Sequence, residues 1–239
     1  MTFINLCLLE YCGVDVKMQQ LQLLIFDMAG TTVDDVVEGT PLVLKSYDDA
    51  FRRHGIVVPM EVLNEQRGRD KKTVITEFGG AKADAIYAVF LDALLANVAR
   101  VREIEGASAV FSYLHDAGVF VAVGSGFPAD VSRAIITHLG WEQRGLIDYW
   151  TCSEIVGASR PDPAMIHAIM AHLQVRDPQR VMKVDDTANG IEEGVRAGVA
   201  TIGVLTGTQS RERLQAAHPT DILESVNALP VYLPSMKYL

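Results

Sequence analysis

Four short apolar runs punctuate the chain: "LLIF" at 23–26, "VFVAV" at 119–123, "VMKV" at 181–184 and "ATIGVL" at 200–205. None alternates regularly between apolar and polar positions, so each reads as a strand buried on both faces, the habit of a parallel sheet. Helical patterns lie between and around them, at about 107–117, 128–139, 163–173 and 191–197. This alternation predicts an α/β fold with a doubly wound parallel sheet, whose ligands bind at the carboxyl ends of the strands.

Residues 36–102 break the rhythm, with helical patterning and no convincing strand. Thr40-Pro41 reads as a cap and a helix-opening proline, with Leu44, Tyr47 and Phe51 on one stripe and Gly55 as the stop. A second stripe carries Ile86, Val89, Phe90, Ala93, Leu94 and Val98. A helical insertion directly after the first strand sits above the strand ends, as a lid does. The expected organisation is therefore a core from 18–35 and 103–239, a small helical cap at 36–102, and an N-terminal appendage at 1–17. The appendage has no basic region before its apolar run, which Glu10 interrupts, so it reads neither as a signal peptide nor as a membrane span.

Composition narrows the function classes. Of 239 residues, 49% are hydrophobic and 21% charged, which suits one main core with an inserted subdomain. The formal net charge of −9 argues against nucleic acid or an anionic membrane as partner. Cys7, Cys12 and Cys152 show no metal-ligand spacing or disulfide framework, as expected of a cytoplasmic protein. A homodimer is compatible with the sequence. The six histidines lack zinc spacing and read as structural, and Trp141 and Trp150 read as packing residues.

The chemistry gathers at the strand ends. Asp27 follows "LLIF"; alone it could be a turn former. "VAVGSGF" places the Ser125 hydroxyl and the Gly126 amide at the rim, groups suited to a phosphate oxygen. "GASRPDPAM" presents Arg160, which in isolation reads as a surface arginine. "VMKVDDTANG" ends a buried strand on Asp185 and Asp186, adjacent carboxylates whose repulsion calls for a cation. Mg²⁺ takes carboxylates, carbonyls and water in an octahedron, and Asp27, the Ala29 carbonyl and Asp186 can supply the protein share.

Together these motifs resemble the haloacid dehalogenase superfamily, in order, across 23 to about 229. The resemblance implies that Asp27 is a nucleophile forming an aspartyl-phosphate and that Ser125 is a phosphate ligand, with Thr31 and Gly126 beside it. It also implies that Arg160 is the catalytic cation and that Asp186 is a metal ligand. Gly190 stands where many relatives carry another aspartate, and Asp185 can replace that charge in the metal site.

Position 29 decides the chemistry. Most phosphatases of this superfamily carry an aspartate two residues after the nucleophile, an acid–base catalyst worth about 10²–10⁴-fold in rate. Ala29 cannot act so. "DxAGTT" with arginine in the third motif resembles the phosphonatase-like branch, in which a cap lysine forms a Schiff base with a phosphonoaldehyde. The matching stretch is "QRGRDKKTVI", with Gly68 and Lys71 at the glycine and lysine of a Met-Gly-x-x-Lys pattern. Arg67 replaces the methionine, Val74 stands where phosphonatase has histidine, and the lid is shorter. Arg67, Arg69 and Lys72 are expected to depress the Lys71 pKa, although "RGRDKK" also has the composition of a solvated charge run. The expected activity is Mg²⁺-dependent hydrolysis of a small 2-oxoalkyl phosphonate. The alternatives are a phosphomonoesterase of phosphoglycolate phosphatase type and a non-catalytic phosphate-binding regulator.

Overall fold

The computed structural model describes residues 21–239; the expected appendage at 1–17 and Met18 lie outside them. A six-stranded, all-parallel sheet forms the centre. Its strands are β1 (Leu23–Phe26), β2 (Phe120–Ser125), β3 (Tyr149–Cys152), β4 (Val181–Asp185), β5 (Ala200–Val204) and β6 (Asp221–Leu223), in spatial order β6-β5-β4-β1-β2-β3. Phe26 lies level with Val123 of β2 and Val184 of β4. The residues that follow them, Asp27, Gly124 and Asp185, therefore reach one rim together.

Both faces of β1 are covered, which is why its run is uninterrupted. Leu23 and Ile25 pack with Ile166 and Ile169 of one helix, α8 (Ala164–His172). Leu24 and Phe26 belong to the larger cluster on the opposite face. There the Phe26 ring lies 5.0 Å from Phe111 of α5 (Ala107–Asp116), and Phe111 meets the fully buried Trp141 edge-on at 5.3 Å. Helices α6 (Ala129–Leu139), α7 (Ser153–Val156), α9 (Ala188–Ala197), α10 (Arg211–Gln215) and α11 (Leu229–Ser235) complete the core. Helix α9 begins three residues before its apolar pattern because Thr187 caps it, accepting from the Gly190 amide at 3.1 Å. Strands β3 and β6 were not expected. Both are edge strands, and "YWTC" and "DIL" are too short and mixed to carry a buried-strand pattern.

Four helices, α1 (Leu42–Arg53), α2 (Met60–Glu65), α3 (Lys71–Gly79) and α4 (Ala83–Asn97), form the insertion. The two expected stripes face each other, with Tyr47 stacked on Phe90 at 4.6 Å and buried beside Phe51. Chain exit and return are zipped by an antiparallel pair, Val33–Asp34 with Arg102–Glu103. The expectation of no strand in this interval needs correction, since Val36–Val37 pairs with Thr40–Pro41. Thr40 therefore does not cap α1. Asp35 takes that work, its carbonyl accepting from Leu42 N at 2.8 Å and its carboxylate from Val43 N at 3.4 Å. Among the described residues no helix is long and apolar enough to cross a membrane.

Candidate active site

Asp27 is held at the sheet rim, with its amide on the Val184 carbonyl at 3.0 Å and its own carbonyl accepting from the Thr32 hydroxyl at 2.7 Å. Arg160 is no surface residue. Its guanidinium is buried, and Nη1 donates to Asp27 Oδ1 at 2.6 Å and to the Gly68 carbonyl at 3.4 Å. Nη2 donates to the Gly124 carbonyl at 2.6 Å and Nε to Glu193 Oε2 at 2.8 Å. Burial works against the Arg160 charge, but Glu193, Asp27 and Asp185 more than offset it and hold the pKa above its ordinary value. Burial raises the Asp27 pKa, with Arg160 opposing.

The adjacent acids have different surroundings. Asp185 Oδ1 accepts from the Thr187 amide and hydroxyl at 3.0 and 2.7 Å, while Oδ2 lies 3.1 Å from Lys183 Nζ and 3.4 Å from Arg160. Despite burial, Lys183 and Arg160 lower its pKa. A Cβ at position 190 would lie 1.9 Å from Asp185 Oδ2, so this carboxylate fills the space a side chain there would need. Asp186 Oδ1 accepts from the Thr31 hydroxyl at 3.0 Å, but its Oδ2 is buried without a hydrogen-bond partner. Burial pushes the Asp186 pKa up to about 8, with Arg67 opposing and Asp185 and Asp27 adding to it.

These residues fit a divalent cation. Oxygens of Asp27, Asp185 and Asp186 lie within 4.8 Å of one another, all three residues are buried, and Asp186 Oδ2 accepts no hydrogen bond, with the Arg67 guanidinium 3.9 Å away. Asp185 is the most committed of the three, to Lys183, Arg160 and Thr187. Thr31 does not reach the cavity as expected of a phosphate ligand; its hydroxyl donates to Asp186 instead.

The insertion closes the site from above. Gly68 has φ +83°, and a Cβ there would lie 2.5 Å from Thr187 Oγ1. A Cβ at Gly126 would lie 2.6 Å from the carbonyl oxygens of both Gly68 and Arg69. Across the seam Asn189 Nδ2 donates to the Arg67 carbonyl at 2.8 Å, and the Asp70 amide donates to Ser159 Oγ at 2.9 Å. The cavity at this seam is about 10 Å³ and is lined by Asp27, Arg67, Lys71, Ser125, Gly126 and neighbours, room for little more than one water. Ser125 Oγ accepts from the Phe127 amide at 3.0 Å.

Lys71 opens α3 behind the Asp70 cap, whose carboxylate accepts from Thr73 N at 2.6 Å. Its ammonium is buried, donates to the Arg69 carbonyl at 2.9 Å and lies 5.7 Å from the Phe127 ring centroid. The pKa is lowered to about 8, by burial first, with Asp27 opposing and Arg67 and Arg160 assisting. The sequence expectation named the wrong neighbours in part. Arg69 points away to Glu77 at 2.6 Å, and Lys72 is exposed beside Asp84 at 3.8 Å. Three contributors escaped sequence reasoning: Glu193, Lys183, and the reach of Arg67 onto the Ala29 carbonyl. Lys183 did leave a signal, as the one charged residue inside the "VMKV" strand.

A family model for haloacid dehalogenase-like hydrolases matches residues 21–198. The phosphonoacetaldehyde hydrolase of Bordetella pertussis is 31% identical, over 91% of this chain and 93% of the relative. The chain belongs to the haloacid dehalogenase-like hydrolases, in their phosphonatase-like branch. The phosphonoacetaldehyde hydrolase of Lactiplantibacillus plantarum is 27% identical over 79% of this chain and 77% of its own. Among solved structures, a phosphonoacetaldehyde hydrolase-like protein from Oleispira antarctica superposes with a TM-score of 0.79 at 23% identity, covering 98% of this chain and 96% of that one. This haloacid dehalogenase-like hydrolase is thus an enzyme, which removes the non-catalytic alternative.

Proposed function

We propose that this hydrolase cleaves the C–P bond of a small 2-oxoalkyl phosphonate such as phosphonoacetaldehyde, with Asp27 as nucleophile and Lys71 as the Schiff-base amine. The observation that carries the reading is Lys71 itself, buried and lining the same cavity as Asp27 with its pKa lowered to about 8, beside an Ala29 that can protonate no leaving group.

The neutral Lys71 amine attacks the substrate carbonyl and loses water, giving a protonated imine. An Asp27 carboxylate oxygen then attacks phosphorus. The C–P electron pair moves into the imine, forming an enamine, so the departing carbon never bears a full negative charge. Water cleaves the aspartyl-phosphate to phosphate and Asp27. Protonation and hydrolysis of the enamine release the carbonyl product and Lys71. Arg160 orients Asp27 through the 2.6 Å contact, and Ser125 with the Gly126 amide meets the phosphonate oxygens. Asp27, the Ala29 carbonyl and Asp186 would hold Mg²⁺, which would supply positive charge for the phosphonate oxygens.

Borohydride added with phosphonoacetaldehyde is expected to leave a reduced adduct on Lys71, located by mass spectrometry. Lys71→Arg should lose both the adduct and phosphate release, since arginine keeps the charge but forms no imine. Asp27→Asn should keep the adduct and lose phosphate release, separating the two steps. Wild-type phosphate release by Lys71→Arg would sink this reading. A carboxylated phosphomonoester is the second reading, favoured by Arg67 Nη1, which is buried without a hydrogen-bond partner in a residue that lines the cavity.

A further inference from the structure

Arg67 belongs to the insertion but spends its charge on the core. Its Nη2 donates to the Ala29 carbonyl at 3.1 Å and lies 3.5 Å from Asp35 Oδ1 and 3.9 Å from Asp186 Oδ2. One of those oxygens belongs to the carboxylate set that fits a divalent cation, and the Ala29 carbonyl joins it in the proposed reading. An ion held by these two oxygens would compete for them with this guanidinium. Arg67 is 3% exposed, and its carbonyl is held by Asn189 on the core, so the guanidinium reaches the acids while the cap loop is seated. The cavity left beneath holds about one water and no substrate.

We propose that Arg67 is a tethered cation that stands in for the divalent ion, so that ion binding and latching of the cap oppose each other. The inference rests on the metal site of the preceding reading. In the ion-free protein Arg67 neutralises Asp186 and holds the cap shut. An ion arriving at the Ala29 carbonyl and Asp186 displaces the guanidinium, loosens the loop at 66–70 and admits substrate. Because coupling is reciprocal, whatever loosens the latch must tighten ion binding by the same factor.

Two measurements without turnover test this. Calorimetric titration with Mg²⁺ should give a Kd about tenfold tighter for Arg67→Met than for wild type, with Arg69→Met unchanged because Arg69 faces Glu77. Hydrogen exchange should rise in the peptide spanning 66–75 when Mg²⁺ is added to wild type. In Arg67→Met that peptide should already exchange fast and ignore Mg²⁺. A repulsion acting only through space would tighten Kd without moving the loop, and that pattern overturns the proposal. An Arg67→Met Kd equal to or weaker than wild type also overturns it. If Mg²⁺ binds wild type and Asp186→Asn abolishes binding, the metal site stands whatever Arg67 does. If no variant binds Mg²⁺, the site and the latch fall together.

Discussion

Lys71 shows how far one side chain's chemistry depends on where the fold puts it. With the ordinary lysine value of 10.5, roughly one molecule in three thousand carries a neutral amine at pH 7; at about 8 the fraction is about one in ten. Imine formation needs that neutral form, so kcat/KM for phosphonoacetaldehyde should rise about tenfold per pH unit below 8 and level off above it. A profile flat from pH 6 to 8 would mean that Lys71 does not act as a free amine. The sequence announced the residue through Gly68 and its spacing, but its depressed pKa comes chiefly from burial, which no count of neighbouring charges reveals. Arg160 makes the same point. Alone, "GASRPDPAM" reads as a surface arginine; the family resemblance assigns Arg160 to the site, and the fold supplies its partners Asp27, Glu193 and the Gly124 carbonyl.

At the level of elements, the uninterrupted runs of β1, β2, β4 and β5 were legible because both their faces are covered. Strands β3 and β6 were not, because an edge strand needs neither length nor an unbroken apolar run. The rim loops follow a stricter rule than their strands. Gly126 has no positive φ, so alanine there meets no backbone strain of its own, but its Cβ would collide with two carbonyl oxygens of the cap loop. Gly126→Ala should therefore leave the core folded while holding the cap off its seat. We expect kcat/KM to fall about a hundredfold, as displacements near 1 Å can produce, with a nearly unchanged melting temperature. A large loss of stability instead would place the collision inside the core.

For the whole molecule, the −9 charge and the proposed anionic substrate are compatible because the cations are concentrated. Arg67, Lys71, Arg160 and Lys183 are all buried near the rim among Asp27, Asp185, Asp186 and Glu193. On the proposed reading, a phosphonate is too large for a cavity of about 10 Å³ and enters once the cap has moved. If opening limits entry, kcat/KM should fall as sucrose raises solvent viscosity; indifference to viscosity would assign the limit to a chemical step.

The paired segments Val33–Asp34 and Arg102–Glu103 carry one more consequence. Because the chain leaves the core and re-enters it at neighbouring points, the sheet does not depend on what lies between. Natural variation can lengthen, shorten or replace the inserted helices while the parallel register that aligns Asp27 with Asp185 stays intact. On the proposed reading, attack on phosphorus is a property of the core, and the handling of the leaving group a property of the insertion. In this chain that insertion brings Lys71 and Arg67.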